Sequence, residues 1–464
     1  MSSDDNTTTP PAPRGFSEDI WAVLLGVSIV ALALLATWHY DDALAGWINK
    51  PGEWANTPLE LADDQKAGVP VWQGTAVALG IIGALLGIVF AVRRELLKGL
   101  LAFVGVAALA VLAMLMSGQE VVKYYNLEYV LWALVLGWII GNTIGIPQWM
   151  RAAVRGEFFI KLGLVLLGME VLMGKLLVLG LPGVLVAWVV TPIVLVTTFW
   201  FGYKVLKIES PSLVMTISAD MSVCGVSAAI ATAAACKAKK EELSLAISLS
   251  LAFTAVMMVV MPIVIRAIGM DDIVGGAWLG GTIDSTGAVA AAGAALGDRA
   301  LKIASTVKMI QNILIGVIAF AVSVYWAARY DDRDTVAGID EVDHPRRRGF
   351  LSEVWARFPK FVLGFLAVSV MASIVDSSGP TGAHLVDQTI GLVTKELRNW
   401  LFCLAFVCIG LEMNMQTLWP ALRGGKPMVL YLVGQSLNLL LTGLMAWLVF
   451  GWLFRESIEQ WLPS

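Results

Sequence analysis

The groups in this chain equipped for chemistry fall mainly in two stretches built of small residues. The first runs from Ser218 to Lys237 and gathers Asp220, Ser222, Cys224, Gly225 and Ser227. The second runs from Gly280 to Arg299 and gathers Asp284, Ser285, Thr286 and Gly287. Laid over one another, Gly225 meets Gly287, Ala228-Ala229 meets Ala290-Ala291, Lys237 meets Arg299 and Lys240 meets Lys302. Lys308 follows, with Gln311 and Asn312 one helical turn on. Hydroxyls, a thiol, a lysine and backbone N–H groups freed at glycine breaks make a set suited to holding a small anion. The competing fate of each hydroxyl is a bond back to its own helix. Asp220, with Glu170 and Glu412 in other spans, is a candidate to carry a coupling ion, H⁺ or Na⁺; structural pairing is the alternative for the two glutamates. Parts for covalent chemistry are missing: there is no HExxH, no Walker A cradle and no histidine at membrane depth to act as a base. Cys224, Cys236, Cys403 and Cys408 form no CxxC pair, so no metal site or cofactor is expected.

The elements that must position these groups are membrane spans. Apolar residues make up 58% of the 464 and charged residues 15%, with a mean hydropathy of +0.76; soluble domains carry nearer a quarter charged. The net charge of −4 points to no nucleic-acid partner. Runs of about 20 apolar residues, enough to cross a bilayer, occur near 20–38, 70–92, 98–117, 127–146, 158–180, 183–203, 243–267, 303–328, 361–375, 398–417 and 428–452. The expectation is an all-α polytopic protein with about 11 transmembrane helices, and with the two small-residue stretches left over. The polar tail 1–18 has no apolar core and is read as a disordered cytoplasmic tail rather than a cleaved signal. Segment 19–125 is read as N-terminal helices with a periplasmic loop, 126–268 as a first repeat, 269–453 as a second and 454–464 as a tail.

Basic clusters fix the topology by the positive-inside rule. Arg93-Arg94, Arg151/Arg155, Lys204/Lys207, Lys237/Lys239/Lys240, Arg346–Arg348 and Arg423/Lys426 all fall in the cytoplasm on one condition. The Ser212–Cys236 segment must enter and leave on the same side, and the Gly275–Gly297 segment must do so from the other. Both are then re-entrant hairpins; full crossings are the alternative. The N-terminus is placed in the cytoplasm and the C-terminus in the periplasm of a bacterial inner membrane. A second echo pairs Gly168 and Glu170 with Gly410 and Glu412, in spans of opposite direction, so the repeats are inverted. Paired glycine-interrupted segments in inverted halves point to a transporter's substrate site.

Ser222-Val-Cys-Gly-Val-Ser-Ala-Ala-Ile-Ala, with Lys237-Ala-Lys-Lys-Glu-Glu-Leu after it, resembles the bacterial YeiH-like sulfate exporter family. The Gly141-Asn142 helix ending, the Lys308 span and Phe358-Pro-Lys-Phe-Val-Leu-Gly364 are similar to it too. The resemblance implies an inner-membrane protein with inverted repeats, and with the residues above it leads to the expectation of a transporter moving a small anionic solute outward (sulfate, sulfite, sulfonate or similar), held by Ser222, Cys224, Gly225, Ser227, Asp284, Ser285, Thr286, Gly287, Lys308 and Asn312. Crossings 70–92 and 98–117 depart from the compact pattern expected of that family, as do acids at Glu170 and Glu412. An ion channel and an intramembrane enzyme are the other classes; the expectation is a non-enzyme. Partners expected are the lipid bilayer, the solute and the coupling ion, with homo-oligomerisation left open.

Overall fold

The computed structural model describes residues 17–62, 64–124, 129–329, 359–413 and 425–461. Tail residues 1–16 and 462–464, the Arg346–Arg348 cluster and Arg423 lie outside them. The regular structure of the described residues is helical apart from a two-residue-wide ribbon, Gln65–Lys66 against Val69–Pro70, and an isolated bridge between Trp54 and Gln119. Helix α1 (Glu18–Tyr40) starts at a Ser17 cap, with Glu18 and Asp19 in the positive first turn. Then come α2 (Val71–Val92), α3 (Leu96–Gly118), the short α4 (Glu120–Tyr124), α5 (Tyr129–Thr143) and α6 (Gly156–Leu167). Helix α7 (Met173–Val184) continues through widened turns into α8 (Val190–Trp200) and on to Val205. The half-helices α9 (Pro211–Ser222) and α10 (Val226–Ala235) precede the long α11 (Lys240–Ala267). A second pair, α12 (Asp272–Thr282) and α13 (Thr286–Leu296), leads to α14 (Asp298–Asn312) and α15 (Leu314–Arg329). The chain closes with α16 (Phe361–Asp376), α17 (Pro380–Thr389), α18 (Lys395–Glu412), α19 (Gly425–Leu448) and α20 (Arg455–Trp461).

Among the described residues, seven helical stretches are long and apolar enough to cross a bilayer. The other four expected passages correspond to helices that are shorter or carry charge: α5, α6, α16 and α18. Two boundaries move. The apolar run read as crossings 158–180 and 183–203 breaks at residues 168–172, and the second passage instead starts at Met173. The break follows from a tertiary approach: a Cβ on Gly168 would lie 2.4 Å from the Phe365 carbonyl of α16. Serines of α16 take up the freed backbone groups, Ser369 donating to Val171 O at 2.5 Å and Ser373 accepting from Met173 N at 2.7 Å.

Both small-residue segments are hairpins. In the first, the Cys236 thiol lies 3.7 Å from the Ser212 carbonyl and 3.7 Å from the Thr216 hydroxyl, so the end of α10 returns to the start of α9. In the second, a Cβ on Gly275 would lie 3.4 Å from Leu296, bringing the end of α13 back to the start of α12. Helix α11 joins their mouths. At its start Glu242 accepts from Ser210 and Ser212 beside the first mouth; at its end Arg266 donates to Ala295 O beside the second. Its 28 residues span about 42 Å at 1.5 Å per residue. The hairpins therefore enter from opposite ends of one helix that crosses the molecule.

The most deeply buried pair is α6 and α18, each sheathed on all sides. They run antiparallel: Gly156 lies against Ala405 and Cys408, Gly163 against Phe402, and Glu170 against Arg398. Gly168 touches the α16 backbone and Gly410 touches the α5 backbone at Leu134 O in matching fashion. The inverted repeat read from Gly168-Glu170 and Gly410-Glu412 is thus a packing symmetry as well as a textual one.

Candidate functional site at the hairpin tips

Each hairpin turns where a half-helix runs out. Helix α9 starts at a Ser210 cap with Pro211 next, and ends at Ser222. The turn is Val223-Cys224-Gly225, with Gly225 at φ +63° and its N–H bonded to Asp220 O at 2.9 Å. Glycine is needed there for its backbone conformation and for space, because a Cβ would lie 3.0 Å from Ser250 Oγ and 3.4 Å from Asp284 Cβ. That second distance also brings the two tips into contact. The second turn is Ile283-Asp284-Ser285, and Ser285 caps α13. Gly287, expected at or near this turn, sits just past it in the first turn of α13, but with ordinary helical backbone, 3.3 Å (as a Cβ) from Ile409. It is a packing glycine.

The last carbonyls of a helix have no partner within it. Here side chains of α14 and α19 supply donors to the ends of α9 and α12. Lys308 donates to Val223 O at 2.5 Å and to Gln311 Oε1 at 2.7 Å. Gln311 donates to Ser222 O and to Gly281 O, both at 3.2 Å, and to Thr191 Oγ1 at 3.1 Å. Asn438 reaches Met221 O at 3.1 Å and Gln435 reaches Thr282 O at 3.2 Å, while Thr442 donates to Asn438 Oδ1. Tyr431 donates to the Asp284 carboxylate. Asp220 differs from every other member: neither of its buried carboxylate oxygens has a hydrogen bond of good geometry, and the Ser250 hydroxyl is the one side-chain donor near enough to interact with it.

The candidate residues separate into two layers. Asp220, Ser222, Cys224, Gly225, Asp284, Lys308 and Asn312 are all buried, forming a dry layer. Ser222 bonds back to Ala219 O at 3.4 Å, the fate expected of a hydroxyl on such a helix. Ser227 is exposed and Ser285, Thr286 and Gly287 are half-buried, forming an open layer at the first turns of α10 and α13. Asn312 bridges the layers by donating to Thr286 Oγ1 at 3.0 Å. Lys308 therefore anchors a turn, with two of the three N–H groups of its ammonium given to Val223 O and Gln311 Oε1. Tyr431, Gln435 and Asn438 were not anticipated, although with Thr442 they form a polar stripe at helical spacing along an apolar span.

The two glutamates lie away from the tips. Glu170, at the end of α6, pairs with Arg398 and, at 3.0 Å, with Lys302. Arg398 is fully buried and also holds Asp298 at 3.0 Å, which Lys395 contacts at 2.6 Å. The structural pairing weighed as the alternative for Glu170 is present, with Arg398 and Lys302 as its partners. Glu412 ends α18 and has no ion-pair partner among the described residues; the charges near it are Glu157 and Glu18.

Residues 98–431 match the family described as Conserved hypothetical protein 698. The chain is 58% identical to a UPF0324 membrane protein of Rhodopirellula baltica, over 91% of this chain and 75% of that one. It is 52% identical to a UPF0324 membrane protein of Nitratidesulfovibrio vulgaris, over 88% and 70%. This chain belongs to the UPF0324 family. A third UPF0324 protein, from Nitrosomonas europaea, is 27% identical over 95% of this chain and 96% of its own. The family match begins at residue 98, so α1 and α2 precede it and nearly all of α3 lies within it. The YeiH-like resemblance is to this same family, and the matched segment carries both hairpins, Glu170, Lys308, Arg398 and Tyr431. No solved structure matches the chain.

Proposed function

We propose that this UPF0324 protein is a secondary transporter of a small oxyanion (sulfate, sulfite, a sulfonate or a similar solute) across the bacterial inner membrane. The observation that carries the reading is the tip-to-tip contact of two inverted hairpins, with Gly225 and Asp284 touching and the first turns of α10 and α13 open beside them. Two helix N-termini meeting there present N–H groups and partial positive charge to one small volume. Ser227, Ser285 and Thr286 add hydroxyls on the open side. On this reading the solute is carried unchanged; among the described residues the open side offers hydroxyls with no base placed beside them.

Coupling is assigned to Asp220 in place of the two glutamates. A buried carboxylate without a well-placed donor is costly unless a proton or Na⁺ neutralises it. Ionised, it would also repel an anion at the tips. Two unit charges about 8 Å apart at an effective dielectric of about 20 differ by about 2 kcal/mol, or about thirtyfold in affinity. Neutralising Asp220 therefore favours solute binding, and by linkage the solute favours the coupling ion.

The test is uptake into proteoliposomes, screened over sulfate, sulfite, sulfonates and small carboxylates with pH and Na⁺ gradients imposed separately. Saturable flux driven by one gradient is expected, and Asp220→Asn should retain exchange while losing the gradient dependence. Conductance that fails to saturate would replace the transporter with a channel, and absence of flux for every anion would remove the oxyanion assignment.

A further inference from the structure

The two hairpins are copies set in unlike surroundings. Helix α13 packs on α5, α6 and α18, with Val289 and Ala292 fully buried and Leu296 nearly so. Under the superposition of Gly225 on Gly287, the counterparts of these residues on α10 are Ser227, Ile230 and Ala234. All three are exposed, Ile230 by 51%. Helix α10 packs chiefly on α9, α11 and α15. The hairpin mouths repeat the asymmetry. Lys302 is bound to Glu170, whereas Lys240, its counterpart, and Glu412, the counterpart of Glu170, have no ion-pair partner among the described residues. Because α18 runs antiparallel to α6, Glu412 lies toward the side on which α11 begins at Lys240.

We infer that the protein has a second conformation in which the two repeats exchange environments: α10 docks on α6 and α18 through Ser227, Ile230 and Ala234, Lys240 pairs with Glu412, and Lys302 leaves Glu170. The inference rests on the transport reading and gives it two ion-pair gates that close alternately. Releasing Lys302 does not orphan Glu170, because Arg398 sits on the same scaffold of α6 and α18 and stays with it. The present gate carries an additional clasp, Asp298 to Arg398 and Lys395, and the counterpart of Asp298 in the first hairpin is Cys236, which has no charge to offer. The conformation described here is therefore the favoured one, and the exchanged one is a minority state.

Cross-linking in native membranes tests this. Lys240→Cys with Glu412→Cys alters two side chains that have no ion-pair partner in the present state. Oxidation should yield a small cross-linked fraction, and adding Lys302→Ala should raise it about fivefold by weakening the opposing gate. Ser212→Cys against the native Cys236 serves as the positive control, since these positions already touch. Absence of a 240–412 cross-link in both backgrounds, with the control cross-linked, overturns the inference. Spin labels at Ala234→Cys and Met413→Cys give a second readout that leaves the ion pairs intact: two distances support the exchange, and a single distance matching the present state overturns it. Saturable flux with one distance would sink the inference and spare the transporter. Two distances without flux of any solute would sink the transporter and spare the inference.

Discussion

Two glycines aligned by the repeat play different parts, and the difference can be measured. Gly225 holds a positive φ with an extended ψ against Asp284, so Gly225→Ala costs about 1–3 kcal/mol in backbone strain alone and separates the tips. Gly287 is helical and faces the end of the Ile409 side chain, which can shift by a few tenths of an ångström. Gly225→Ala should abolish flux in vesicles, while Gly287→Ala should keep most of it; equal loss would mean the tip contact is not the site. At Glu170 the expected defect is in stability. Glu170→Gln leaves buried Arg398 with Asp298 and Asn399 only, a loss toward the lower end of the about 3–5 kcal/mol seen when buried pairs are broken. Thermal unfolding in detergent should show it, whereas a mutant of ordinary stability that lost gradient dependence would restore Glu170 as the coupling residue.

At the scale of elements, legibility followed the kind of signal. The hairpins could be read because the small-residue text is doubled and flanked by lysines on one side. The break after α6 could not, because Gly168 and Glu170 sit in an unbroken apolar run and the break is made by Phe365, Ser369 and Ser373, some two hundred residues away. Arg398 was passed over for a related reason: at the head of an apolar run it looks like a helix end in water, and only the fold buries it. Tyr431, Gln435, Asn438 and Thr442 were legible as a stripe on one face of α19, with spacings that match a helical period. Their part in holding the broken helices needed the partner helix to be in place. Asn438→Leu leaves the Met221 carbonyl without its side-chain donor, which should lower stability by about 1–3 kcal/mol in a denaturation assay. No change in stability would mean that water or a neighbour replaces the amide.

For the whole molecule, the feature with the longest reach is α11, one helix bound to the mouth of each hairpin. On the proposed transport reading, a single connecting helix would couple the motions at its two ends. Were each hairpin free to swing alone, both could stand away from the scaffold together and leave a continuous path for ions, dissipating the gradient the cell maintains. On that reading the rod would make such a leak mechanically expensive, and its middle turns, around Leu251 to Val256, would be the place where tightness can be undone. Replacing Ala252 and Phe253 with glycines should soften the rod by about 1 kcal/mol per site, beyond the packing lost with the phenylalanine. In reconstituted vesicles it should show as a gradient that collapses with no solute present, and vesicles that stayed tight would mean the hairpins are kept in step by something other than α11.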